Sequence, residues 1–148
     1  MTLTALSGRY IRMKVVDVMT NNPLTITADE TIGQADELMS ENNFRQIPVV
    51  AGHELVGIVT DRDIRSFLSG ALQANPDQRE KALRTPVRDI MTTEPLFLAL
   101  DDDLEEAVEM LIEEKIGALP VVDEAEGLVG IVSYVDVLRC FLNRLREE

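Results

Sequence analysis

Val15-Val16-Asp17-Val18-Met19-Thr20, followed by Pro23-Leu24, returns 72 residues later as Val87-Arg88-Asp89-Ile90-Met91-Thr92, followed by Pro95-Leu96. The register holds through Ala35 and Ala107, Leu38 and Met110, and Ile47-Pro48-Val49-Val50 against Leu119-Pro120-Val121-Val122. One added residue near Asp123–Gly127 then shifts the offset to 73. Leu55-Val56-Gly57-Ile58-Val59-Thr60 matches Leu128-Val129-Gly130-Ile131-Val132-Ser133, and Asp63 matches Asp136. A fixed period over so many positions marks an internal repeat, which sets how the rest of the chain is read.

Each copy carries the same succession of patterns. A short segment (Leu24 to Thr27; Leu96 to Leu100) reads as a strand. An amphipathic helix follows, with Ile32, Ala35, Leu38 and Met39 on one face, and Leu104, Ala107, Val108, Leu111 and Ile112 in the second copy. Two β-branched runs joined by a polar turn (Ala51 to Glu54; Asp123 to Gly127) signal a hairpin. A second helix closes each copy, carrying Ile64, Phe67, Leu68 and Leu72, or Val137, Leu138, Phe141, Leu142 and Leu145. The expected fold class is therefore α+β, two tandem βαββα repeats. Residues 1–13 form an N-terminal extension, 14–72 the first repeat, 73–85 a polar linker with a helical turn, and 86–146 the second repeat. A single repeat of this size would bury only about 60% of its unfolded surface. Its strands also read as apolar on both faces, so the two repeats are expected to pack sheet to sheet about a pseudo-twofold axis.

Composition narrows the function classes. The chain has 148 residues, 45% of them apolar, and a net charge of −13. That charge disfavours nucleic acid as a partner. The longest apolar runs are strand-length, far short of the roughly 20 residues a spanning helix requires. No membrane segment and no leader are expected, and the setting expected is the cytoplasm. The charge is uneven: residues 1–84 carry nine basic and eleven acidic side chains, residues 85–148 five and sixteen. An anion site therefore suits the first half. The one histidine, His53, lies in a hairpin turn, and the one cysteine, Cys140, in an apolar helical pattern. They supply neither a nucleophile and base nor a zinc set, so no catalytic and no metal residues are expected. Asp101-Asp102-Asp103 opens a helix, where carboxylates favour the dipole.

The duplicated pattern Asp-hydrophobic-Met-Thr-x-x-Pro, hydrophobic-Pro-Val-Val and Gly-hydrophobic-Val-[Thr/Ser]-x-x-Asp resembles a pair of cystathionine-β-synthase (CBS) domains, or Bateman module, over residues 14–145. The resemblance implies two symmetry-related clefts between the repeats, occupied by adenosine-containing ligands: AMP, ADP or ATP, with S-adenosylmethionine also admitted and no obligatory cofactor. It implies a regulatory module, not an enzyme, that forms a homodimer and acts on a protein partner. The alternative is a ligand-free dimerisation or protein-interaction module.

By spacing alone, Thr60 and Asp63 read as a capping pair at a helix start, and so do Ser133 and Asp136. The resemblance adds a second role: Asp63 and Asp136 to ribose hydroxyls, Thr60 and Ser133 to ribose or phosphate. It places Arg45 opposite phosphate, where a guanidinium can bind two oxygens at once, with Arg62 and Arg65 adding positive field. In the second copy these three become Gly117, Val135 and Leu138, so the first cleft is expected to take the phosphorylated ligand. Thr92, Thr93, Phe97, Ile116 and Ile47 are expected to wall it.

Overall fold

The computed structural model describes residues 12–147; of the expected extension over residues 1–13, residues 1–11 lie outside them. The first repeat comprises β1 (Thr20–Asn21), α1 (Ile32–Asn42), β2 (Gln46–Ala51), β3 (Glu54–Thr60) and α2 (Asp61–Ala74). After a turn over Pro76–Gln78, the short helix α3 (Arg79–Leu83) leads to β4 (Thr92–Thr93), β5 (Leu98–Ala99), α4 (Leu104–Glu114), β6 (Ala118–Val122), β7 (Leu128–Ser133) and α5 (Tyr134–Glu147).

The elements start and stop where side chains satisfy the backbone. Thr31 Oγ1 accepts from the Gln34 amide at 3.1 Å while Gln34 Oε1 accepts from the Thr31 amide at 2.8 Å, closing a reciprocal box at the start of α1. α1 ends at Asn43 and α4 at Lys115, both in the left-handed region with φ of 56° and 55°. Gly52 and Glu126 in the hairpin turns share a φ of 63°. The backbone keeps the repeat's geometry even where a lysine or glutamate must adopt a conformation that costs about 1–2 kcal/mol.

The two repeats are stitched together by exchange. β2 and β3 form a hairpin, and the third strand of that sheet is β4 from the second repeat, with Ile58 opposite Thr92 and Gly57 opposite Thr93. Reciprocally, β1 joins the edge of β7, with Thr20 opposite Ile131 and Asn21 opposite Gly130, in the sheet β1-β7-β6-β5. The hairpin tips also meet, the Leu128 amide donating to the His53 carbonyl at 2.8 Å. The α+β repeat fold expected from the sequence is thus present, its pseudo-twofold relation visible in pairs of matched registers.

Each repeat has its own buried cluster. Ile26, Ile32, Ala35, Met39, Ile47, Val49, Val59, Ile64 and Leu68 fill the first, with Ala82 and Val87 contributed by the chain leading into the second repeat. Leu98, Ala107, Leu111, Leu119, Val121 and Val132 fill the other, with Val15 from the chain leading into the first. Three local expectations change. The strand expected over Leu24–Thr27 reduces to one parallel bridge between Ile26 and Val49, and its copy to the two residues of β5. Only one side chain in each of these segments is buried, so nothing holds a longer ladder. Ile112, expected on the buried face of α4, is 68% exposed. It follows Leu111 by one residue, a rotation of about 100° that carries it off the stripe. The linker's expected turn extends into α3, which lays Ala82 into the first core.

Candidate functional site

The junction of β2, β3 and α2 gathers the basic and hydroxyl residues singled out in the first copy. The pairing of Gln46 with Thr60 sets the end of β3 beside the start of β2, and the Arg45 carbonyl accepts from the Asp61 amide at 2.9 Å. Arg45 is therefore held against the first turn of α2, next to Thr60, Arg62 and Asp63. Arg45 and Arg62 are exposed, and Thr60 and Asp63 are half-buried. Arg62 also borders a shallow depression along the outer face of α2, with Arg65, Ser66, Ser69, Gly70 and Gln73. Arg65 pairs with Asp61 at 3.5 Å on that helix.

Thr60 caps α2. Its Oγ1 accepts from the Asp63 amide and Asp63 Oδ2 accepts from the Thr60 amide, both at 3.1 Å. The capping pair read from the spacing is present, and it leaves Asp63 Oδ1 without a hydrogen bond among the described residues. The exchanged strand β4 sets Thr92 and Thr93, both exposed, across β3 just before this turn. Leu96 and Phe97, further along, expose much of their apolar surface.

Two of the expected wall residues pack against the cores. Ile47 has no exposed surface and packs within the first core, so it lines no open cleft. β2 is apolar on both faces, and the position falls on the helix-covered side. Ile116 is half-buried against the second core.

The second junction repeats the backbone and changes the chemistry. The Gly117 carbonyl accepts from the Tyr134 amide at 3.1 Å, as Arg45 does for Asp61. Asp136 Oδ2 accepts from both the amide and the hydroxyl of Ser133, each at 2.9 Å. Its Oδ1 accepts from Thr20 Oγ1 at 3.3 Å, a contact supplied by the first repeat through β1. Arg139 Nη1 lies 3.9 Å from the same oxygen. Thr20 was not singled out by sequence, although the Met-Thr pair that contains it is half of the repeat signature.

Among the described residues no three histidine, cysteine or carboxylate groups cluster as a metal site would need. The His53 backbone serves the hairpin contact, and Cys140 Sγ lies 3.5 Å from Met13 Sδ. No helix among the described residues is long and apolar enough to cross a membrane.

The CBS domain family matches the chain twice, over residues 15–70 and 87–143. The CBS domain-containing protein YhcV of Bacillus subtilis is 37% identical over 90% of this chain and 87% of its own length. Among solved structures, CBSX2 in complex with AMP is 32% identical, with a TM-score of 0.76 over 88% of this chain and 96% of that one; CBSX2 is an Arabidopsis thaliana protein. The CBS domain pair of protein MJ0100, in complex with 5′-methylthioadenosine and S-adenosyl-L-methionine, is 26% identical, with a TM-score of 0.73 over 87% and 99%. The chain spans only 52% of an uncharacterised Methanocaldococcus jannaschii relative and 23% of that organism's inosine-5′-monophosphate dehydrogenase. With two matched segments covering most of its length in the same order as its internal repeat, the chain belongs to the CBS domain family.

Proposed function

We propose that this chain is a regulatory module, without catalysis of its own, that binds an adenosine phosphate at the start of α2 and alters the behaviour of a partner protein. The observation that carries the reading is the convergence of Arg45, Thr60, Arg62 and Asp63 on one helix start, with Asp63 Oδ1 open to a ligand hydroxyl. Asp63 accepts from the ribose, Arg45 and Arg62 face the phosphate, and the first-turn amides of α2 add to the attraction for an anion. Thr92 and Thr93 approach from the other repeat through β4, and the exposed apolar surface at Leu96 and Phe97, which follow them in sequence, suits a purine face. The likeness to CBSX2, solved with AMP, supports this ligand class; that to the MJ0100 pair, solved with S-adenosyl-L-methionine, widens it to less charged adenosine compounds. A ligand bridging two repeats stabilises one relative arrangement of them, and only such a difference in binding free energy between states conveys a signal.

AMP at about 100 times its dissociation constant should stabilise the fold by about 2.7 kcal/mol, read as a rise in melting temperature. The rise should be lost in Asp63→Ala, once that variant's own lower baseline from the weakened cap is subtracted. No rise with any adenosine ligand favours the second reading, an interaction module. The observation behind that one is α5, which buries none of its described side chains and exposes Val135, Leu138, Phe141, Leu142 and Leu145. We propose that this stripe pairs the chain with a second copy in either case.

A further inference from the structure

The two ribose-type aspartates have different amounts of acceptor capacity left. Asp63 uses one oxygen, in one bond to the Thr60 amide. Asp136 uses both: Oδ2 accepts twice from Ser133, and Oδ1 accepts from Thr20 with Arg139 close by. The Asp136 side chain is only 10% exposed. The counterpart of Thr20 in the first junction is Thr92, which makes no hydrogen bond to Asp63, and the counterpart of Arg139 is Ser66. The registers of β1 on β7 and β4 on β3 are equivalent, so the difference lies in the side chains and not in where the exchanged strands sit.

We infer that Thr20 and Arg139 close the second cleft, so that the chain takes a single adenosine ligand, at Asp63. The inference rests on the reading of the clefts given above. A vicinal diol is held by a carboxylate that offers it free lone pairs. At Asp136 an incoming ribose must first displace the Thr20 hydroxyl and the Arg139 guanidinium, exchanging protein bonds for ligand bonds with little net gain. At Asp63 it displaces only water. Thr20 is thereby a specificity-determining residue that belongs to one repeat and acts on the cleft of the other.

Two measurements test this together. Calorimetric titration with AMP should give one equivalent for the wild type and two for Thr20→Val, a swap that keeps the shape and the strand propensity while deleting the donor. In an Asp63→Ala background, which isolates the second cleft, Thr20→Val should tighten AMP binding by about tenfold. Independently of any ligand, the melting shifts of Thr20→Val and Asp136→Ala should be non-additive in the double variant, because each deletes the bond between the two side chains. Additive shifts overturn the inference whatever AMP does. Two equivalents in the wild type overturn it while leaving the proposed function standing. Non-additive shifts with no AMP bound by either protein remove the proposed function and this inference with it.

Discussion

Gly130 lies directly beneath Met19: a β-carbon on it would stand 2.5 Å from Met19 Sδ and 3.0 Å from the Thr20 carbonyl oxygen. Gly57 has the same relation to the other exchanged strand, 2.9 Å from both Met91 Sδ and the Thr92 carbonyl oxygen. The glycine in each hairpin and the Met-Thr pair in each opening segment are therefore two sides of one contact, made between repeats and not within them.

Gly57→Ala should accordingly destabilise the fold by about 1–3 kcal/mol, the usual range for added volume in a packed place. The backbone oxygen of Thr92 cannot swing aside as a side chain would. Urea unfolding measures the change, and a midpoint equal to the wild type's would show that β4 has slack to move. Gly130→Ala should cost a comparable amount, since the Thr20 carbonyl oxygen stands 3.0 Å from its added β-carbon and is equally fixed.

The phosphate role proposed for Arg45 separates cleanly from the ribose role of Asp63. Arg45→Ala should weaken AMP binding by about tenfold to a hundredfold, the range for a charge-assisted hydrogen bond, and leave adenosine binding nearly unchanged. Asp63→Asn should weaken both ligands alike. Titration of the two variants with the two ligands decides this. Equal losses for AMP and adenosine in Arg45→Ala would place that side chain on the nucleoside or make its effect structural.

The sequence made the repeat legible because its signature rests on residues with strong local meaning: the Pro after each hairpin start, the Thr60–Asp63 and Ser133–Asp136 capping pairs, and the 3.6-residue stripe of α1 and α4. That each cleft draws on the other repeat is expected from the resemblance, through Thr92 and Thr93; the strand pairing by which β1 and β4 exchange was not legible. Two-residue strands have no periodicity, and β-pairing between residues more than a hundred positions apart, as with Thr20 and Ile131, leaves no local trace. The same distance hid Thr20's contact with Asp136, although the spacing from Ser133 singles out the aspartate itself. Ile47 was misplaced for another reason. A strand apolar on both faces does not say which residue faces the helices and which the cleft.

α5 carries a prediction about assembly. Leu138 is 58% exposed, and Phe141, Leu142 and Leu145 continue the same face. Covering one such side chain is worth about 1.5–3 kcal/mol at full burial, so a single interruption should be felt. Leu138→Arg should shift the chain toward monomer in sedimentation velocity, weakening self-association by at least about tenfold. It should leave the melting temperature of the monomeric fold nearly unchanged, because the residue contributes little to the core. If the wild type sediments as a monomer throughout, the stripe serves another partner.

Lys14 and Asp103 form an ion pair at 2.7 Å, joining the chain just before the first repeat's signature to the start of α4, where the same residues make an isolated backbone bridge. The hydrogen bond from Lys14 holds the Asp103 carboxyl below its usual value of 3.8, and the same bond raises Lys14 above 10.5. The sign of the pH dependence follows. The Asp103 contribution is fully present above pH 3.8 and is lost as the pH falls through the depressed value in the folded state. The Lys14 contribution is fully present below pH 10.5 and is lost as the pH rises through the raised value. Lys14→Met should therefore lower the melting temperature slightly at neutral pH, and the deficit should vanish in acid, once Asp103 is protonated in both states. Because both groups face water, the deficit should also shrink at 1 M salt. A deficit that persists in acid and in salt would mean that Lys14 acts through its stem and the backbone bridge to Asp103, with its charge playing no part.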